Sequence, residues 1–313
     1  MARLLVGALM LLAVVPAAAQ PPAPATVPAP PPPPPPPPPE GGFTVRDGSV
    51  GYIDPASPAD QLRLRADFGY DFRAPNRAEV FYAKGKPFGP GVPRSETSVD
   101  FQDQTLYLEK TLGPNWSIFV EGGVRSLNPD INANTAGLGD SNLGFKYAFR
   151  SEECQVWTFQ LRAYLPTGAA SRGLGTHNVS LEPALLGFTR LTEQLGLAAE
   201  ARYWQPIDGT DFAGGVLRYG LGLRYDVWQS EGFRFAPTVE AVGWTVLDGR
   251  ESRRLPDGST AIFDSGGTTI LNLKLGARID LGEHAGLYAG YGLAVTGERW
   301  YRDVWRVEFR WLF

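Results

Sequence analysis

Seven basic residues are notable for their neighbours: Arg162, Arg202, Arg218, Arg224, Arg234, Lys274 and Arg278. Each lies between two apolar residues, as in Leu161-Arg162-Ala163 and Leu273-Lys274-Leu275. A guanidinium carries five donors in a fixed fork and stays charged, so it either grips a carboxylate or phosphate or is neutralised by a built-in acid. The same alternation puts Arg63, Arg65, Arg125, Lys146, Arg190, Arg306 and Arg310 on the polar face, together with the carboxylates Asp67, Asp71, Glu121, Glu182, Glu200, Asp226, Glu240, Asp280 and Glu308. Bases outnumber acids in this set. Two chemistries are open. The charges can pair with one another and fill a polar interior, since buried charge is kept only when paired. Alternatively, the basic excess can favour small anions or polarised organic solutes.

Other chemistries find no constellation. His177 and Ser180 are three apart, so on a strand they point to opposite faces, and His284 falls in a turn. No nucleophile–base pair is placed, and the chain is not read as an enzyme. One cysteine, Cys154, excludes an intrachain disulfide, and with only two histidines no metal or cofactor site is assigned. "NPDINAN" (128–134) lacks the full calcium-loop pattern. "NVS" (178–180) matches a glycosylation sequon but lies in an expected strand. Basic residues never form a run, so nucleic acid is not an expected partner.

What positions the charged residues is a period of two. In "LRLRADFGYDF", Leu62, Leu64, Ala66, Phe68, Tyr70 and Phe72 alternate with Arg63, Arg65, Asp67 and Asp71. Such alternation is the mark of a strand between two environments. It recurs near 116–124, 143–149, 157–165, 179–190, 195–203, 217–227, 233–241, 271–279, 287–295 and 306–313. In residues 98–112, Val99 and Phe101 are out of phase with Leu106 and Leu108, so a bulge is expected there. That makes twelve strands. Short connections such as "GPN" (113–115) and "GEH" (282–284) alternate strictly with long ones near 74–96, 128–137, 166–176, 206–214 and 248–266. Trp116, Tyr147, Trp157, Tyr203, Trp204, Trp300, Tyr301 and Trp311 stand near strand ends, where an interfacial girdle of rings would lie. A soluble sandwich explains the alternation alone. An even strand count, alternating loop lengths and strands of ten residues or more favour an all-β, 12-stranded antiparallel transmembrane β-barrel of the bacterial outer-membrane type. With strands about 4.8 Å apart and tilted about 40°, its backbone radius is roughly 12 Å. That leaves a narrow passage once side chains fill the wall.

The ends set the compartment. Arg3, an apolar run over 4–15 and "PAAAQ" form a secretory signal peptide, residues 1–20, cut near Ala19. The run is shorter than the roughly 20 residues of a spanning helix. Residues 21–42 form a proline-rich linker whose unbroken run, 30–39, favours polyproline II. This is a stiff spacer or a tether to a periplasmic or cell-wall partner. Residues 43–60 form an arm or plug, and 61–313 the barrel. The last strand, "RVEFRWLF", closes the sheet onto the first so that no edge remains.

"GLGDSNLGFKYAF" (137–149) and "LRAYLPTG" (161–168) resemble the outer-membrane family named for the meta-pathway of phenol degradation. The residues carrying the resemblance are Gly137, Leu138, Gly139, Asp140, Leu143, Gly144, Lys146 and Tyr147, then Pro166, Thr167 and Gly168. It implies an outer-membrane barrel passing small organic compounds. Gly137 and Gly139 are read as serving a tight bend, and Asp140 either caps loop amides or meets a solute. The terminal aromatic Phe313 resembles the signature read by the barrel-assembly machinery. The expected function is a narrow pore for small aromatic or anionic solutes in outer-membrane lipid. The alternative is a structural or adhesive barrel tethered by its linker.

Overall fold

The computed structural model describes residues 49–73, 89–207 and 212–313. The leader, the proline run and the first residues of the arm lie outside the described residues. In chain order the strands are β1 Gln61–Phe72, β2 Val99–Gly113, β3 Trp116–Pro129, β4 Thr135–Leu138, β5 Ser141–Glu152, β6 Gln155–Leu165, β7 Ser180–Arg190 and β8 Leu195–Pro206. They continue with β9 Val216–Tyr225, β10 Trp228–Ser230, β11 Phe233–Val246, β12 Arg250–Arg254, β13 Thr260–Asp264, β14 Thr269–Leu281, β15 Ala285–Ala294 and β16 Asp303–Leu312.

Twelve of these form a closed antiparallel wall in the order β1-β2-β3-β5-β6-β7-β8-β9-β11-β14-β15-β16. The last pairs with the first, from Gln61↔Leu312 to Tyr70↔Asp303. Closure leaves no open edge of unpaired N–H and C=O groups. The short strands β4 and β10 pair with β3 and β11, and β12 and β13 form a separate hairpin in the connection between β11 and β14.

The wall is inside-out relative to a soluble core. On β9, Tyr219, Leu221, Leu223 and Tyr225 are exposed, whereas Gly220, Gly222 and Arg224 are buried. On β3, Trp116, Ile118 and Val120 are exposed and Ser117, Phe119 and Glu121 buried. Strand geometry sends neighbours to opposite faces, so one period separates a hydrocarbon-facing skin from a charged interior. Among the described residues no helix is long and apolar enough to cross a membrane. The strands are the crossing elements.

Two expectations are met only in part. The strand over 98–112 carries no bulge in the stretch where the phase changes. Val99, Phe101, Asp103, Thr105, Tyr107 and Glu109 share its inner side, while Leu106 and Leu108 are exposed. The phase conflict arises because inner residues near the long-connection end are themselves apolar. One irregularity lies at the far end of β2, where two steps from Thr111 to Gly113 match one step from Ser117 to Trp116. Another lies on β1, where three steps from Gly69 to Phe72 match two steps from Phe101 to Val99. The latter turns Phe72 inward, stacked at 5.9 Å on Trp300. The girdle is also smaller than expected. Trp116, Tyr203 and Trp311 are exposed outside, with Trp116 stacked on Tyr147 at 4.3 Å. Trp300 and Tyr301 are buried, and with Trp204 they line the interior.

Candidate functional site

The arm enters the barrel. Residues 49–58 form an insert within the lumen, and its two ends lie at the same rim. Ser49 meets Arg310 and Arg224, near the ends of β16 and β9. Ala59 donates to Glu109 of β2 at 3.3 Å, next to the β2–β3 turn. Between them the chain climbs to Tyr52, whose hydroxyl approaches the Val304 carbonyl at the other end of β16 at 3.5 Å. The insert therefore makes a U-turn, entering and leaving at the rim of the short connections.

Many backbone polar groups of the U-turn are met by wall side chains. Both Glu240 carboxylate oxygens accept backbone N–H bonds. Oε1 takes Gly51 at 3.0 Å and Tyr52 at 3.1 Å, and Oε2 takes Tyr52 at 2.8 Å and Ile53 at 2.9 Å. Three successive N–H groups around one carboxylate make an anion nest. The carbonyls point to cations: Arg278 donates to Val50, Arg306 to Gly51, Arg218 to Tyr52 and Lys146 to Pro55, at 2.9–3.2 Å. Thr158 donates to the Ala56 carbonyl at 2.6 Å. Val50, Tyr52, Ile53 and Ala56 join an apolar core inside the barrel with Leu186, Phe188, Val242 and Tyr288.

Each of the seven basic residues singled out by sequence projects inward. Arg162 pairs with Asp54 at 2.9 Å, and Arg202 with Glu182, Glu200 and Asp54 at 2.7–3.1 Å. Arg218 pairs with Glu200 at 2.7 Å and Arg278 with Glu308 at 3.0 Å. Arg224 and Arg234 share Asp280 at 2.7 and 2.6 Å. Lys274 is held by rings. Its ammonium donates to the Tyr301 hydroxyl at 2.7 Å and lies 3.5 Å from the Tyr52 ring centre, a cation–π contact. The guanidinium of Arg306 packs 4.1 Å from the same ring. The apparent basic excess is thus met in large part by the insert, through Asp54, the carbonyls of Val50, Gly51, Tyr52 and Pro55, and the Tyr52 ring.

Between the insert and the long connections lies a cavity of about 420 Å³. Its walls combine the rings of Tyr164, Trp204, Trp244, Trp300 and Tyr301 with Arg65, Arg125, Arg162 and Arg218. Tyr52 and Asp54 supply its wall on the insert side.

The family-type motifs meet at the rim of this cavity. Asp140, between β4 and β5, accepts from the Gly168 N–H at 2.9 Å, the Thr176 N–H at 2.7 Å and the Thr176 hydroxyl at 2.9 Å. Thr167 Oγ1 accepts from the Ser141 N–H at 2.8 Å and donates to the Gly139 carbonyl at 3.1 Å. Pro166 leads out of β6 into this cluster. A Cβ at Gly168 would lie 2.3 Å from the Leu174 carbonyl oxygen, so only glycine admits the approach. A Cβ at Gly137 would meet Leu174 Cδ1 at 2.8 Å, so that side chain would have to shift, whereas Gly139 has room. Gly144 makes space for the Phe119 ring. Asp140→Ala removes three acceptor contacts, and each charged hydrogen bond contributes about 1.5–3 kcal/mol. It is expected to lower the urea midpoint for loss of the fast-migrating folded band on unboiled gels. Asp140→Asn, which keeps one acceptor, should fall between.

Sequence reading missed Tyr107, Glu109 and Asp54. Glu109 binds Lys146 at 3.0 Å, both side chains fully buried, and accepts from Tyr107, Gln61 and Ser117. Its position in phase with Tyr107 was the available signal. His177 has a left-handed backbone (φ 63°) in the β6–β7 connection, and His284 Nδ1 donates to the Leu312 carbonyl at 2.8 Å. Among the described residues no group of three or more His, Cys, Asp or Glu could hold a metal ion.

No family model matches the chain, and no curated protein matches it. Solved structures do. An outer membrane channel from Pseudomonas putida F1 superposes with a TM-score of 0.53 at 13% identity, covering 85% of this chain and 98% of that one. The beta domain of the Bordetella autotransporter BrkA gives 0.49 at 13% identity, over 82% and 100%. The NanC porin gives 0.48 at 10% identity, over 80% and 98%. At such identities the likeness extends to the fold, an outer-membrane barrel.

Proposed function

We propose that the chain is an outer-membrane passage for small organic solutes, aromatic or anionic, whose N-terminal insert closes the lumen at rest. The observation that carries this reading is the 420 Å³ cavity, where aromatic faces and guanidinium groups line one space against the insert. Such a mixture suits a solute with a flat apolar body and a polar or charged head. The fold of the Pseudomonas channel is compatible with it. In outer-membrane barrels short turns face the periplasm and long loops the exterior. The insert then enters from the periplasmic side, and the cavity belongs to the outer side. We further assign the chain to the meta-pathway phenol-degradation family on the Gly137–Lys146 and Pro166–Gly168 motifs. On this reading a leader of residues 1–20 directs export, and Phe313 serves recognition by the assembly machinery.

A second reading has its own observation, namely that a filled lumen suits a closed scaffold tethered through the linker. Planar-bilayer recording separates the two. The wild-type chain should give small, infrequent steps, and a chain lacking residues 49–58 should conduct steadily. If the deleted chain migrates as a folded, heat-modifiable band yet stays electrically silent, the passage reading fails and the scaffold stands.

A further inference from the structure

We propose that Arg63, Arg162 and Arg202 form a carboxylate-binding seat that the chain's own Asp54 occupies, and that a small organic carboxylate entering from the cavity competes for this seat and so displaces the insert. The proposal deepens the solute-passage reading and rests on it.

The three arginines come from three strands, β1, β6 and β8, and converge on one carboxylate. Asp54 Oδ1 lies 3.2 Å from Arg63 Nη1, and Oδ2 lies 2.9 Å from both Arg162 Nη2 and Arg202 Nη2. One negative charge thus engages three guanidinium forks, the geometry suited to a planar carboxylate. Wall acids hold the forks from behind: Glu308 stands 3.9 Å from Arg63, Glu121 3.6 Å from Arg162, and Glu182 3.1 Å from Arg202. These acids belong to the barrel, so the seat keeps its shape when Asp54 leaves. Asp54, Arg162 and Arg202 all line the cavity, so a solute there reaches the seat directly. Beside them Tyr164 and Trp204 offer ring faces for an apolar body. The ligand class is therefore a small carboxylate carrying an aromatic or apolar group.

Competition is what couples the ligand to opening. Asp54 is tethered, so the solute must overcome an effective concentration of about millimolar. Once Asp54 is displaced, the next residues are held by the bonds from Lys146 and Thr158 to the Pro55 and Ala56 carbonyls.

The test uses the full chain with Cys154→Ser and Ala56→Cys, since Ala56 is buried in the lumen. Labelling of the introduced thiol by a maleimide reports departure of the insert. Millimolar benzoate should raise the labelling rate about tenfold, the factor tied to loss of one charge-assisted hydrogen bond. The uncharged analogue benzamide should leave it unchanged. Adding Asp54→Asn should raise the basal rate and abolish the benzoate response. Equal effects of benzoate and benzamide, or an intact benzoate response in Asp54→Asn, would overturn the seat. Should Asp54→Asn not give a heat-modifiable band, the benzoate–benzamide contrast in the Asp54 chain still decides. A seat that fails while the chain lacking 49–58 conducts leaves the passage reading standing. A silent deleted chain removes that reading whatever the labelling shows.

Discussion

Replacing Glu240 with glutamine is expected to loosen the lumenal insert by about 3 kcal/mol, the contribution of one to two hydrogen bonds to a charged acceptor. That is a factor of roughly 150 in the equilibrium between seated and withdrawn insert. The reason lies in the nest of three N–H groups from Gly51, Tyr52 and Ile53 around both carboxylate oxygens. Glutamine keeps one oxygen and puts an NH₂ group where the other stood, so at least one backbone donor faces a donor. A buried donor left without an acceptor costs more than the bond it lost was worth. Longer open times in bilayers and faster maleimide labelling of the Ala56→Cys chain, both against the Glu240 chain, are the expected readouts. Unchanged values would mean that the arginine–carbonyl contacts alone retain the insert.

Alternation in stretches such as 61–69 encodes the wall because two solvents act on adjacent residues, and the parity of Leu221 against Arg224 shows which side each meets. The inward direction of Arg162, Arg202 and Lys274 follows from the same parity. A plug was one of the two readings open for residues 43–60, but the contacts that seat it were not legible. Its contacts run through backbone carbonyls and N–H groups, which every residue carries, and Glu240 lies 189 positions from Gly51. Nothing in "SVGYIDPAS" marks a partner so distant. Trp204 could have been separated from the girdle, because it adjoins Tyr203 and neighbours on a strand cannot share a face. Trp300 and Tyr301 could not, since they sit in a connection where period two gives no guidance. Asp140 was legible as part of a motif, but its partner Thr176 was not, because loop geometry brings them together.

Leu221→Arg is expected to destabilise the barrel by about 2–4 kcal/mol, the cost of an arginine near the bilayer midplane. Leu221 is 58% exposed, lies mid-strand on β9 and pairs with Ala199 and Ala241 on the flanking strands. An exposed leucine in water would tolerate arginine with a change within about 0.5 kcal/mol, so the magnitude identifies the solvent outside the wall. The measurement is the urea dependence of folding into vesicles, followed by the heat-modifiable band. Leu221→Phe, apolar and larger, should fold with little change because lipid chains yield to it. A neutral Leu221→Arg would mean that the exposed apolar skin meets water or protein, and the inside-out reading of the charged lumen would lose its physical basis.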